Sequence, residues 1–197
     1  MDPVPPLVLA SGSPRRSDLL KEAGYDFVIV KPLVEEVEDE AIPIRELTAL
    51  NARLKADAVA TTHGSSLILA ADTLVLLGEM VFGKPTDRED ASRMLGELNG
   101  RAHQVFTAVT LLHRDSGRIH SLSVATDVYF KQLTRAEMEE YHRRIDPMDK
   151  AGAYAAQDHG TLIIERISGS MSNVIGLPMD EVADALHEHF GITPVPR

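Results

Sequence analysis

The sequence contains no cysteine. That removes disulfides and thiolate metal sites, and it fits a cytoplasmic protein. No apolar run is long enough to span a bilayer. The opening stretch, Met1-Asp2-Pro3-Val4-Pro5-Pro6, has neither a charged n-region nor an apolar h-region, so it does not read as a signal peptide. Internal repeats, low-complexity segments and linkers are missing too. Positive charge is in short supply: 20 Lys and Arg stand against 30 Asp and Glu, for a formal net charge of −10. That balance argues against a DNA or RNA backbone as partner. An anionic small substrate stays open, because a local basic cluster can hold it, and metal ions would offset the negative surroundings. The 197 residues are 44% hydrophobic and 25% charged. That is ordinary for a globular chain with a substantial core.

One stretch near the start stands out. Leu7-Val8-Leu9-Ala10 reads as a buried strand, Ser11-Gly12-Ser13 as a tight turn, and Pro14-Arg15-Arg16-Ser17-Asp18-Leu19-Leu20 as the opening of a helix. Ser13 suits the N-cap, Pro14 the first helical position and Gly24 the stop. Free N–H groups, hydroxyls and two guanidinium forks converge at that helix start, which makes an anion site. The bland reading of the same residues is a strand, a turn and a helix with a solvated arginine pair.

Further along, Asp26–Lys31 reads as a second strand. The acidic run Val34-Glu35-Glu36-Val37-Glu38-Asp39-Glu40 is a surface loop or a source of carboxylates for a divalent cation. Ile44 to about Thr62 reads as a helix, with Leu47, Leu50, Leu54, Ala58 and Val59 on one face. On it Asn51 and Lys55 share a face at i, i+4. Ser66–Ala71 is a buried strand expected to end at Asp72-Thr73, and a hairpin follows. A charge directly after an apolar strand costs several kcal/mol unless paired, metal-bound or exposed. In open α/β sheets, ligands sit at the carboxyl ends of strands.

Gly83-Lys84-Pro85 presents a lysine rigidly but is not a Walker A loop. Thr86-Asp87-Arg88-Glu89 and Thr134-Arg135-Ala136-Glu137 read as capping boxes that open helices. His103–Arg114 and Arg118–Phe130 read as strands joined at Asp115-Ser116-Gly117. Asp149–Gly160 is a loop before a strand over Thr161–Ile167. Pro178 and Gly191 bracket a last helix through Val182, Leu186 and Phe190. The eight His residues show no metal-site pattern. Tyr141 and Phe190 read as core. The expected architecture is α/β, with a mixed, elongated sheet flanked by helices. It forms one domain over 1–197, in two lobes around a central cleft, with loose ends at about 1–6 and 192–197.

Ser13, Arg15, Arg16, Lys55 and Lys84 as phosphate donors, with Glu35, Glu36 and Asp72 as carboxylates, suit metal-assisted anhydride chemistry. The strings that hold them resemble the Maf family of nucleoside triphosphate pyrophosphatases, long labelled septum-formation inhibitors. They are Leu9–Arg16, Ala71-Asp72-Thr73, Gly83-Lys84-Pro85, Asp149–Tyr154 with Gln157, and Ser172–Pro178. They cover the chain from about Leu7 to Phe190 in the family order.

The resemblance implies a fold like that of inosine triphosphate pyrophosphatases. It implies hydrolysis between the α and β phosphates, a divalent metal (Mg²⁺ or Mn²⁺) and a homodimer. Asp72 becomes the catalytic carboxylate and, with Glu36, a metal ligand. Ser13, Arg15, Arg16, Lys55, Thr73, Lys84 and Gln157 become substrate-binding residues. The pairing of Asp72-Thr73 with Gln157 looks like the branch acting on dTTP and UTP. The branch acting on 7-methyl-GTP has Gln after the catalytic Asp. A nucleotide-binding regulator of division without turnover is the alternative of a different class. Two departures stand out: Asp158-His159 intervene between Gln157 and Gly160, and Glu35-Glu36 replace the family's Asp-Glu.

Overall fold

A computed structural model describes residues 4–39 and 41–195. Residues 1–3, 40 and 196–197 lie outside the described residues. Those positions hold the start of the N-terminal stretch, the last acid of the acidic run and the end of the expected loose tail.

The sheet is mixed and has seven strands, in the order β2-β1-β3-β5-β6-β7 with β4 paired to β3. These are β1 (Leu7–Ala10), β2 (Val28–Ile29), β3 (Leu67–Leu77), β4 (Met80–Phe82), β5 (Ala102–His113), β6 (Arg118–Phe130) and β7 (Ile164–Ser168). Helices α1 (Pro14–Glu22), α2 (Ile44–Ala60), α3 (Arg88–Leu98), α4 (Arg135–Arg144), α5 (Met171–Ile175) and α6 (Met179–Phe190) accompany them. β1 runs parallel to β2 and β3, whereas β4 and β7 pair antiparallel to β3 and β6.

The chain divides into two compact units. The first comprises the segments up to Asp72, Thr107–Val124 and from Gly176 onward; the second comprises Thr73–Phe106 and Ala125–Ile175.

In the first unit, the apolar runs of β1 and β3 are covered on both faces, which is why they are continuous rather than alternating. Leu7, Leu9, Leu67 and Leu69 cluster with Leu20 of α1 and with Val182, Leu186 and Phe190 of α6. Val8, Ala10, Ile68 and Ala70 cluster with Ala56 and Val59 of α2. α1 stops as its sequence predicts: Gly24 takes φ +83, its N–H donates to Lys21 O, and Tyr25 N–H reaches back to Leu20 O. That is a Schellman close. The tail expected to be loose from 192 is tied here. Ile192 is buried, and Val195 N–H donates to Gly24 O at 2.8 Å.

In the second unit, Val75, Phe82, Leu95, Leu98, Val105, Phe130, Tyr141, Tyr154 and Ile163 form the core. Thr134 and Glu137 cap α4 with the expected reciprocal box. The cap of α3 is shifted by one residue. Asp87, not Thr86, takes the N-cap and accepts from Asp90 N–H, and Thr86 N–H donates to the Asp90 carboxylate.

Four further expectations are corrected. β3 does not end at Asp72; it continues through it to Leu77. β2 holds only Val28 and Ile29, and β7 begins at Ile164 after a 3₁₀ turn over Gly160–Leu162. The inward face of α2 is Leu47, Thr48, Asn51, Ala52, Lys55, Ala56, Val59 and Ala60, while Leu50 is exposed.

Candidate active site

In the first unit, the parallel pairing of β1 with β3 ends at Ala10 opposite Ala70. The Ser11-Gly12-Ser13 turn therefore leaves the sheet just where β3 goes on to Ala71 and Asp72. Ser13 occupies the N-cap of α1, but its side chain makes no cap bond. Ser11 Oγ instead accepts from Ser13 N–H at 3.1 Å, so the cap hydroxyl comes from two residues earlier.

Arg16 fastens this turn. Its Nε donates to Gly176 O at 2.8 Å, and its Nη1 donates to Ala71 O at 2.9 Å and to Ser11 Oγ at 3.4 Å. Burial draws the guanidinium pKa below its ordinary value, and Asp72 and Glu36 oppose that shift. Arg15 sits half-buried in the same first turn.

Asp72 is buried at 4% exposure. Its Oδ1 accepts from Lys55 Nζ at 2.7 Å, and Lys55 Nζ also lies 3.0 Å from Glu36 Oε1. One ammonium thus bridges two carboxylates. The second carboxylate oxygen, Asp72 Oδ2, is buried with no hydrogen-bond partner. Burial pushes the Asp72 carboxyl above the ordinary carboxylate range, and Lys55 works against that rise. A buried acceptor left open costs on the order of 1–3 kcal/mol. Its persistence in an otherwise satisfied ion pair fits a group meant to receive a proton or a cation.

Sequence reasoning put Asn51 and Lys55 on one helix face but not Asn51 to a task. Asn51 Oδ1 accepts from Val37 N–H at 2.8 Å, and its Nδ2 donates to Val37 O at 3.0 Å. This clamp fixes the acidic loop one residue from Glu36, which is how an exposed glutamate comes to stand over Lys55. The i, i+4 pair was the available signal; its partners lie too far off in sequence to be inferred.

Ser13, Arg15, Arg16, Glu36, Lys55 and Asp72 all belong to the first unit, whereas Thr73, Lys84 and Gln157 belong to the second. Lys84 and Gln157 are exposed there. Within that unit Gly152 N–H donates to Gly83 O at 2.9 Å, which joins the Gly83-Lys84-Pro85 string to the Asp149–Tyr154 string. Lys150 Nζ is held by Asp146 O and Asp149 Oδ1, both at 2.6 Å. Tyr154 OH pairs with His103 Nε2 at 2.9 Å, and Tyr141 OH both donates to Ala155 O and accepts from its N–H. His103 was not singled out by sequence, because a lone histidine in a strand carries no local signature.

A family model described as Maf-like protein matches residues 6–189. Curated proteins named dTTP/UTP pyrophosphatase are similar over most of their length. The one from Akkermansia muciniphila is 44% identical, covering 93% of this chain and 96% of its own. The one from Desulforamulus reducens is 41% identical, covering 95% and 97%. The one from Vibrio vulnificus is 44% identical, covering 92% and 97%. Among solved structures, the Staphylococcus aureus Ham1 protein aligns with a TM-score of 0.42 at 17% identity, over 63% of this chain and 71% of that one. With the family model spanning nearly every element described above, the chain belongs to the Maf-like protein family.

Proposed function

We propose that this chain is a nucleoside triphosphate pyrophosphatase that hydrolyses dTTP and UTP to the monophosphate and pyrophosphate. The observation that carries the chemistry is Asp72: a buried carboxylate, held through Oδ1 by Lys55, with Oδ2 left open. The base preference is supported by the relatives, which bear that name.

In this reading Asp72 orients a water and takes its proton. The water oxygen bonds to one phosphorus of the α–β anhydride, the bond from that phosphorus to the bridging oxygen breaks, and the other half departs with the bridging oxygen, giving monophosphate and pyrophosphate. A raised carboxylate pKa suits that task, because a base works best near the operating pH. The N–H groups at the start of α1 and Arg15 hold phosphate oxygens, and Arg16 keeps the turn in place. Lys84 adds a further phosphate contact. Thr73 and Gln157 read the pyrimidine edge; a site built on such bonds rejects bases that leave its polar groups unpaired.

A divalent cation, Mg²⁺ or Mn²⁺, is part of the proposal. Among the described residues no group of three or more His, Cys, Asp or Glu could hold a metal. Mg²⁺ ordinarily takes one or two carboxylates and completes its shell with water and substrate phosphates. The open Oδ2 of Asp72 and the nearby Glu36 carboxylate meet that need. When bound, the ion would neutralise charge that builds on the phosphate oxygens. The reading extends to a homodimer in the cytoplasm. Among the described residues no helix is long and apolar enough to cross a membrane.

The test is pyrophosphate release by the purified chain with Mg²⁺ or Mn²⁺. The panel is dTTP, UTP, CTP, the purine triphosphates and 7-methyl-GTP. Turnover of dTTP and UTP alone is expected. Preference for 7-methyl-GTP would overturn the roles of Thr73 and Gln157. Nucleotide binding without any turnover would overturn the enzyme reading.

A further inference from the structure

The register of β2 on β1 carries Lys31 to the edge of the anion site. Val8 pairs with Val28 and Leu9 with Ile29, in parallel. Val30 N–H then donates to Leu9 O at 3.0 Å. One step further along the same register, Lys31 arrives beside the Ser11-Gly12-Ser13 turn. Its side chain follows: Cγ, Cδ and Cε lie 3.5, 3.5 and 3.4 Å from where a Cβ on Gly12 would stand. The apolar stem thus lies along the bare face of Gly12, and the ammonium, one bond beyond Cε, is held at the turn on an exposed residue. Lys31 is exposed, and no described residue engages its ammonium in a hydrogen bond or ion pair. Such a cation, anchored by its stem and open at its head, is placed for an anion on the turn.

The sheet order shows which part of the anion it meets. β1 lies between β2 and β3. Lys31 and Asp72 therefore flank the turn from opposite sides, about 10 Å apart at the level of the backbone, two strand separations. We infer that Lys31 binds the distal phosphates of the substrate, the end of the chain farthest from Asp72, and so also holds the pyrophosphate product. This rests on the pyrophosphatase reading, which sets the α–β anhydride at Asp72.

Calorimetric titration of the full chain with Mg²⁺ and tripolyphosphate, pyrophosphate or dTMP tests it, using wild type, Lys31→Met and Lys31→Arg. For Lys31→Met, tripolyphosphate and pyrophosphate are expected to bind about fivefold more weakly, as befits one solvent-exposed charged contact. Binding of dTMP should be unchanged, and Lys31→Arg should restore the loss. Unchanged pyrophosphate binding by Lys31→Met, an equal loss for dTMP, or no tripolyphosphate binding by wild type would each overturn the assignment. The underlying reading fails separately: a wild-type chain that binds tripolyphosphate in this Lys31-dependent way yet never cleaves dTTP refutes pyrophosphatase activity and keeps Lys31 as a polyphosphate ligand.

Discussion

Arg16 Nε donates to the carbonyl oxygen of Gly176, 160 residues further along the chain, at 2.8 Å. The same guanidinium reaches Ala71 O, the residue before Asp72. Three strings that look unrelated in sequence are thereby one hydrogen-bonded frame, and the open carboxylate stands at its edge.

Arg16→Lys should loosen that frame. An ammonium on a shorter reach cannot reproduce a planar fork that meets two separate carbonyls. Hydrogen bonds from charged donors contribute roughly 1.5–3 kcal/mol each, so a loss of about 2 kcal/mol in unfolding free energy is expected. Urea denaturation measures it, and a wild-type midpoint would show that the fork is not needed.

Asp72→Asn should abolish turnover by about 10²–10⁴-fold while nucleotide binding survives, because an amide cannot accept the water's proton. Lys55→Met should instead destabilise the fold by about 3–5 kcal/mol, since it leaves the buried carboxylate unpaired. Asp72→Asn also takes one ionic partner from Lys55, so it should cost stability too, and the double variant should be more stable than the sum of the two single-variant stability losses predicts. Additive losses would show that the 2.7 Å ion pair has no energetic coupling.

These residues also show how far the sequence could be read. The α1 turn, the Schellman close at Gly24 and the Thr134 box lie within a few residues of their own partners, so local pattern suffices. The face of α2 does not yield to that method. Apolar periodicity picks out Leu50, which is exposed; the true inward face carries Thr48, Asn51 and Lys55. Lys55 can be inside because Asp72 and Glu36 neutralise it, and Asn51 because Val37 satisfies it. None of those partners is local. Asp72 looks like a strand end for the same reason. A charge interrupting an apolar run looks like a boundary until its counter-ion is known.

Stability should depend on pH through His103. Burial draws its pKa from 6.5 down to about 4. Between those values the unfolded chain holds a proton that the folded chain refuses. Stability should therefore fall as pH drops from 6.5 toward about 4 and level off below, by about 3 kcal/mol in total. Urea midpoints for wild type and His103→Gln across that range measure the difference. A wild-type slope matched by the variant would assign the proton uptake elsewhere.

Gly152→Ala should be poorly tolerated. Gly152 sits at φ +69, and a Cβ there would come within 3.2 Å of Val75 Cγ2 and 3.3 Å of Leu98 Cδ1. Left-handed backbone with a crowded side chain costs about 1–3 kcal/mol. A lowered thermal midpoint is expected, together with weaker nucleotide binding, because Gly152 N–H also holds Gly83 O. A variant as stable as wild type would mean that the loop can re-form around alanine.

The first unit is assembled from the two ends of the chain and a middle segment, and the second unit is threaded between them. Synthesis proceeds from the N-terminus, so β1, α1 and the Asp72 strand leave the ribosome long before α6, whose Val182, Leu186 and Phe190 cover Leu7 and Leu9. The unit that carries the ion pair is thus the last to close, and its contacts span most of the chain. Such long-range closure folds slowly and leaves apolar strands waiting in the open. The apolar surface of β1 and β3 that α6 covers is therefore bare during synthesis from the moment those strands have emerged until α6 follows.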